Sequence, residues 1–204
     1  MKKMVSAALA GLIIGLAAAP AWAAGDKVAG KAKSTTCAAC HGMDGNSANP
    51  QFPKLAGQHA SYIVKQLQDF QHKRRVDPTM SPQAANLSEQ DMADLAAYYE
   101  AQPVKPGMGD EKKVRLGEMV YRGGNAAMGV PACIGCHGPT GMGNPAAKFP
   151  RLAGQHAKYV VKQMYDFRKG VRANDAGKMM RNVAIRMTDA EIEAVAEYIA
   201  GLHE

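Results

Sequence analysis

A block of nineteen residues occurs twice in this chain. Residues 52–70 read FPKLAGQHASYIVKQLQDF and residues 149–167 read FPRLAGQHAKYVVKQMYDF, with fourteen of the nineteen positions identical. Lys54/Arg151, Ile63/Val160 and Leu67/Met164 are conservative differences. Further on, Leu87-Ser88-Glu89-Gln90-Asp91 is answered by Met187-Thr188-Asp189-Ala190-Glu191. A unit of this length exceeds the ~20–50 residues of solenoid repeats, so the pattern calls for two similar domains in tandem. The stretch Gln102-Pro103-Val104-Lys105-Pro106-Gly107 marks the boundary, because two prolines and a glycine stop the preceding helix. Domains are expected at 24–102 and 108–204, with a linker at 103–107.

Residues 1–23 stand apart from this plan. Lys2 and Lys3 precede an apolar run from Met4 to Ala19, Pro20 breaks it, and Ala21-Trp22-Ala23 places small residues where a signal peptidase reads. The run is shorter than the ~20 residues of a spanning helix. It reads as a cleavable secretory signal, and the mature chain is expected to be exported and soluble from near Ala24.

Each copy reads as all-α. Tyr62, Ile63, Gln66, Leu67 and Phe70 share one face of a helix starting near Gln58. Met92, Leu95, Ala96 and Tyr99 do the same for a second helix, with Ser88 as its N-cap. The second copy repeats this with Ile192, Val195, Ala196 and Ile199 behind Thr188. A shorter helix precedes each cysteine motif, better formed around Glu111–Arg122 than around Lys27–Ser34. No convincing strand alternation is present. Loops at 42–57, 71–87, 138–155 and 170–187 are too long for a plain bundle, so something besides side chains must fill each core. Domains this small also bury limited apolar surface alone.

Each copy carries Cys-x-x-Cys-His, as Cys37-Ala38-Ala39-Cys40-His41 and Cys133-Ile134-Gly135-Cys136-His137. This is the attachment signature of c-type haem. Two thiols one turn apart reach both vinyl groups of one haem, and the next residue sets an imidazole under the iron. Two covalently bound c-type haems are therefore expected. A four-cysteine zinc site would join pairs that sit in separate repeats and would leave both histidines without a role. A thioredoxin-like dithiol needs a βαβ context that is absent. A disulfide across two residues is a strained choice for stability alone.

Each iron then needs a sixth ligand or an open position. The mature chain has eleven methionines, most of which must be ordinary packing residues. Met80 lies eight residues before Ser88, and Met180 lies eight before Thr188, both in the long loop before the last helix. Met179 competes with Met180. His59 and His156 occupy matching Gly-Gln-His-Ala places, where capping or surface hydrogen bonding is the plainer role. His72 and His203 have no counterpart in the other copy and read as solvated. His/Met ligation raises a haem's potential relative to His/His. With both axial positions held, the iron has no ready site for substrate, which suits an electron carrier and not an enzyme.

These features resemble the dihaem cytochrome c4 family over essentially the whole mature chain. The resemblance implies two tandem class I cytochrome c domains related by pseudo-twofold symmetry, each wrapped around one covalently attached haem. It implies His41/Met80 and His137/Met180 as axial pairs, with Pro53 and Pro150 placing a backbone carbonyl against the Nδ1–H of each histidine. In this fold a first-helix glycine crosses an aromatic of the last helix. Gly117 with Tyr198 and Tyr121 fits that pattern. Gly30 with Tyr98 fits it less well, since position 34 is Ser and no aromatic follows. The second copy has about nine extra residues from Gly123 to Pro131 and a longer Met loop, so unequal potentials are expected.

The function implied is a periplasmic carrier in a respiratory chain, taking electrons from a membrane quinol-oxidising complex and passing them to a terminal oxidase such as the cbb3 type. The alternative is the dihaem subunit of a sulfide-oxidising flavocytochrome c. A dihaem peroxidase would need an open iron and a longer chain. Residues 24–107 carry nine basic and eight acidic side chains, net +1, whereas 108–204 carry fourteen and ten, net +4. The second domain is thus the expected docking side for an acidic partner, or for loose association with an anionic membrane surface. No basic run with interleaved aromatics is present, and no nucleic-acid partner is expected. Arg74, Arg75, Arg172 and Arg181 lie in the Met loops, where solvation is the expectation and a haem propionate the alternative.

Overall fold

The computed structural model describes residues 24–203, and the signal-peptide reading lies outside them. Ten α-helices occur among these residues: α1 (Lys27–Lys33), α2 (Ala38–His41), α3 (Ala60–Gln71), α4 (Met80–Ala84), α5 (Glu89–Glu100), α6 (Glu111–Gly123), α7 (Ile134–His137), α8 (Ala157–Arg168), α9 (Met179–Ala184) and α10 (Asp189–Gly201). The order in the first half is repeated in the second. Two isolated bridges, Asn125 with Val130 and Asn144 with Phe149, are the extended pairings among the described residues.

The long loops expected after α3 and α8 are partly helical. Short α4 and α9 occupy their second parts, each beginning at or beside the candidate methionine. These segments have little periodic pattern of their own. They form by packing on α3 and α8.

The first and last helices of each half make its most extensive helix pair, α1 on α5 and α6 on α10. Gly30 and Gly117 make those crossings possible. A Cβ on Gly30 would collide with the Asp94 carbonyl and lie 2.8 Å from Tyr98 Cβ, and one on Gly117 would meet Ala194 and Tyr198 in the same way. The first-half crossing is therefore as close as the second. The missing ring comes from the other helix. Tyr98 and Tyr99 lie 5.2 Å apart, and Tyr121 and Tyr198 lie 5.3 Å apart. Tyr99, buried beside Ser34, supplies in the first half the ring that Tyr121 supplies in the second.

Caps repeat as well. Asp26 and Asp110 accept backbone N–H groups at the starts of α1 and α6, and their own N–H groups donate to Asp94 and Glu197 on the last helices. Ser88/Asp91 and Thr188/Glu191 form full capping boxes. The extra residues after α6 form a small hairpin around Asn125 and Val130. Its Asn125 donates to Glu191 at 2.7 Å, and Arg186 donates to the Gly129 carbonyl at 2.9 Å.

The two halves meet along α3 and α8 and the segments just before them. Several polar bonds across this seam come in reciprocal pairs, as a twofold relation requires. Gln58 pairs with the backbone of Arg151, and Gln155 pairs with the backbone of Lys54. Arg75 reaches Tyr159 and Gln163, and Arg172 reaches Tyr62 and Gln66.

Candidate metal centres

Each Cys-x-x-Cys-His folds into one helical turn. The His41 N–H donates to the Cys37 carbonyl at 3.0 Å, and the His137 N–H donates to that of Cys133 at 2.9 Å. Gly42 and Gly138, at φ 79° and 77°, then turn the chain out of the helix, a conformation that favours glycine. The turn places two cysteines and one histidine on one short helical element. Cys37, Cys40 and Cys133 are half-buried and Cys136 is exposed, and none is bridged to another. Burial pushes the Cys133 thiol up to about 11. Among the described residues no three His, Cys, Asp or Glu side chains converge on a site for a bare metal ion.

Both motif histidines are buried, and both are oriented by a proline carbonyl. His41 Nδ1 lies 2.9 Å from the Pro53 oxygen, and His137 Nδ1 lies 3.0 Å from the Pro150 oxygen. A carbonyl can only accept, so each Nδ1 carries the proton and each Nε2 presents a lone pair. Burial lowers the pKa of both imidazoles, and the carbonyl bond opposes this in part. Neutral imidazole with a free Nε2 is the state a metal ligand needs. His41 Nε2 is buried with no hydrogen-bond partner. Such an acceptor is costly unless something outside the polypeptide meets it. With two adjacent thiols, the donor set fits a covalently attached haem.

The candidate sixth ligands are placed by the short helices. Met80 opens α4 and is half-buried, and its N–H donates to Asp77 at 3.0 Å. Met180 is half-buried and packs on the second-half core, which Cys133 and Ile134 also touch. Its neighbour Met179 is 41% exposed. Lys178 and Gly177 before them are left-handed, both at φ 58°, and Asp175 binds the Arg181 backbone and side chain to fix the turn.

Several side chains take unexpected places. His59 and His156 cap nothing. Each donates Nε2–H across the seam, His59 to Met142 O at 2.6 Å and His156 to Ser47 O at 2.7 Å. That bond engages Nε2 of each ring in the seam. His72 and His203 are exposed. The four loop arginines are not simply solvated. Arg74 pairs with Asp69 and Arg181 with Asp175. Arg75 and Arg172 turn into the seam, stack on Phe70 and Phe167, and donate to neutral Gln and Tyr oxygens. Sequence reasoning missed Gln58 and Gln155. Their identity in both copies was the available signal, but periodicity marks only faces that pack, and a seam between domains has no period.

A sequence profile of the cytochrome c family matches residues 23–101 and 122–203, once in each half. Cytochrome c4 of Pseudomonas aeruginosa is 50% identical over 184 residues, covering 90% of this chain and 92% of that protein. The thiosulfate dehydrogenase electron acceptor of Stutzerimonas stutzeri is 42% identical over 170 residues, covering 81% and 78%. Among solved structures, the crystal structure of reduced recombinant cytochrome c4 from Pseudomonas stutzeri superposes with a TM-score of 0.86 at 46% identity, covering 88% of this chain and all of that one.

Proposed function

The chain belongs to the cytochrome c family and, within it, to the dihaem cytochrome c4 proteins, and from that premise we propose that it is an exported carrier that moves electrons through two His/Met-ligated haems in a respiratory chain. We assign the domains to 24–102 and 108–204 with a linker at 103–107, removal of residues 1–23, and a periplasmic location. No helix among the described residues is long and apolar enough to cross a membrane. A quinol-oxidising complex is the proposed donor and a terminal oxidase of the cbb3 type the proposed acceptor. The relatives do not favour the flavocytochrome alternative.

The observation that carries this reading is the buried, Nε2-unpartnered His41 beside two thiols, with the same Nδ1–carbonyl geometry built again at His137. When bound, the haems supply a one-electron change between ferric and ferrous iron. The chain's own residues do the rest. Cys37 and Cys40, and Cys133 and Cys136, hold the cofactors against loss. His41 and His137 are fixed in tautomer and orientation by Pro53 and Pro150. Met80 and Met180 would supply the thioether ligands of the two irons and would favour the reduced form. Arg75 and Arg172, whose side-chain hydrogen bonds in the seam go to uncharged acceptors, are the proposed partners of the haem carboxylates.

Haem counting and a carbon monoxide difference spectrum on the dithionite-reduced holoprotein test this. Two covalent haems per chain and no carbon monoxide binding are expected. Binding at either haem overturns the ligand assignment on that side. A second reading, favoured by the similarity to the thiosulfate dehydrogenase electron acceptor, is that the electron donor is a sulfur-compound dehydrogenase. Reduction of the holoprotein by such an enzyme with thiosulfate, and not by a quinol-oxidising complex, would select it.

A further inference from the structure

We propose that Gln58 and Gln155 are positioning residues that act across the seam, each tuning the proximal histidine of the opposite domain. The proposal rests on the reading of His41 and His137 as iron ligands.

The argument turns on one peptide group. The carbonyl of Pro53 and the N–H of Lys54 are the two ends of the same peptide unit. Its oxygen accepts from His41 Nδ1 at 2.9 Å, and its N–H donates to Gln155 Oε1 at 2.9 Å. The mirror unit joins Pro150 and Arg151. Its oxygen accepts from His137 Nδ1 at 3.0 Å, and its N–H donates to Gln58 Oε1 at 2.9 Å. Each chain of bonds therefore begins on a glutamine of one domain and ends on the imidazole of the other.

The glutamines are held for this task. Gln155 is 9% exposed and Gln58 is 7% exposed. Each closes a two-bond ring with its target residue, since Gln155 Nε2 donates to Lys54 O and Gln58 Nε2 donates to Arg151 O, both at 2.9 Å. Each Oε1 also accepts the N–H of the next residue, His156 at 3.0 Å and His59 at 3.1 Å. Those histidines are anchored in turn on Ser47 and Met142 of the opposite half. The repeated Gly-Gln-His thus forms a clamp on the partner domain's proline segment.

Hydrogen bonds in series polarise one another, by roughly 10–30% per bond in condensed-phase estimates. A peptide whose N–H is engaged is a better acceptor at its oxygen. It then draws the Nδ1 proton more strongly and makes the imidazole a stronger donor at Nε2. A stronger donor favours ferric iron. Losing the glutamine should raise the potential of the opposite haem, and the effect should cross the molecule.

The test uses the dihaem holoprotein. In Gln155→Leu the His41 haem should become easier to reduce, with its reduction equilibrium shifted about threefold, and its Nδ1–H proton resonance should move upfield, while the His137 haem keeps both values. Gln58→Leu should do the reverse. The haems are told apart by Met80→Ala and Met180→Ala, each of which alters one set of resonances. A shift confined to the glutamine's own domain, an equal shift of both haems, or no shift overturns the proposal. If the leucine variants do not fold, Gln155→Asn and Gln58→Asn, which keep the amide but shorten its reach, must show the same crossed pattern or the proposal falls. Failure of the ligand reading has a separate signature, since carbon monoxide would then bind the unmodified protein.

Discussion

At the scale of single residues, contact distances decide what each position tolerates. Gly117 has backbone on the far side of its missing Cβ, whereas Gly123, six residues on in the same helix, has nothing within 4 Å. Gly117→Ala should force α6 away from α10 and cost about 1–3 kcal/mol or more, because backbone cannot rotate out of the way. Gly123→Ala should be neutral or stabilise by up to about 1 kcal/mol, since it only restricts the unfolded chain. Urea unfolding of the two variants measures the contrast, and equal effects would mean that the crossing is not tight. The residue scale also shows where sequence was sufficient. The proline carbonyls meet both histidines as the family resemblance implied. Tyr99 was legible as a packing residue of the last helix but not as the ring beside Ser34, because a space in a core can be filled from either wall. Covalent order does not tell which.

At the scale of elements, capping explains why the last helix of each half starts where it does. The Ser88 hydroxyl accepts from the Asp91 N–H at 3.1 Å, and the Asp91 carboxylate accepts from the Ser88 N–H at 2.9 Å. Ser88→Ala should cost about 1 kcal/mol. Lys33, hydrogen-bonded to Asp91, together with Ser88 holds that carboxyl down to about 2, from an ordinary value of 3.8. A depressed pKa stabilises the folded state above the ordinary value, and that contribution fades as pH falls from about 4 toward 2. Asp91→Asn should flatten this part of the stability profile, by a small amount because the pair is exposed. Stability measured by denaturant at stepped pH decides it, and an unchanged slope would assign the acid sensitivity to other groups. Both caps were legible, because Ser-x-x-Asp and Thr-x-x-Glu ahead of an apolar period are local signals. Helices α4 and α9 were not. Five- and six-residue helices have too few positions to show a period, and they exist because α3 and α8 offer them a surface.

At the scale of the whole molecule, the duplication was legible in the repeated block and the twofold relation only through the family resemblance, and the departures from it were not legible. Asp69 and Asp166 occupy the same place in the repeat, yet Asp69 is 3% exposed and Asp166 is partly open beside Lys162. The difference is Asn174, in the longer loop of the second half. Its side chain donates to Asp69 at 2.6 Å and to Gln66 at 3.0 Å, and its carbonyl accepts from Lys65 at 2.9 Å. The next residue, Asp175, grips the first turn of α9 through Arg181. The segment bearing Met180 is therefore tied to the first half. Asp77, the acid that receives the Met80 N–H, serves its own loop. Burial pushes the Asp69 pKa up, but hydrogen bonds from Lys65, Arg74 and Asn174 outweigh it and hold the net value below the ordinary one. The latch should accordingly be intact above about pH 4 and weaken as Asp69 is protonated below that. Loss of a hydrogen bond to a buried charge costs about 1.5–3 kcal/mol, so Asn174→Ala should loosen the Met180 loop at neutral pH. Asp166→Asn should not. Hydrogen exchange of the α9 amides in the holoprotein reads this directly. Faster exchange in Asn174→Ala, with the α4 amides unchanged, is the expected result. Equal acceleration of α4 and α9 would mean that the seam loosens as a whole, and the asymmetry argued from Asp69 would fail.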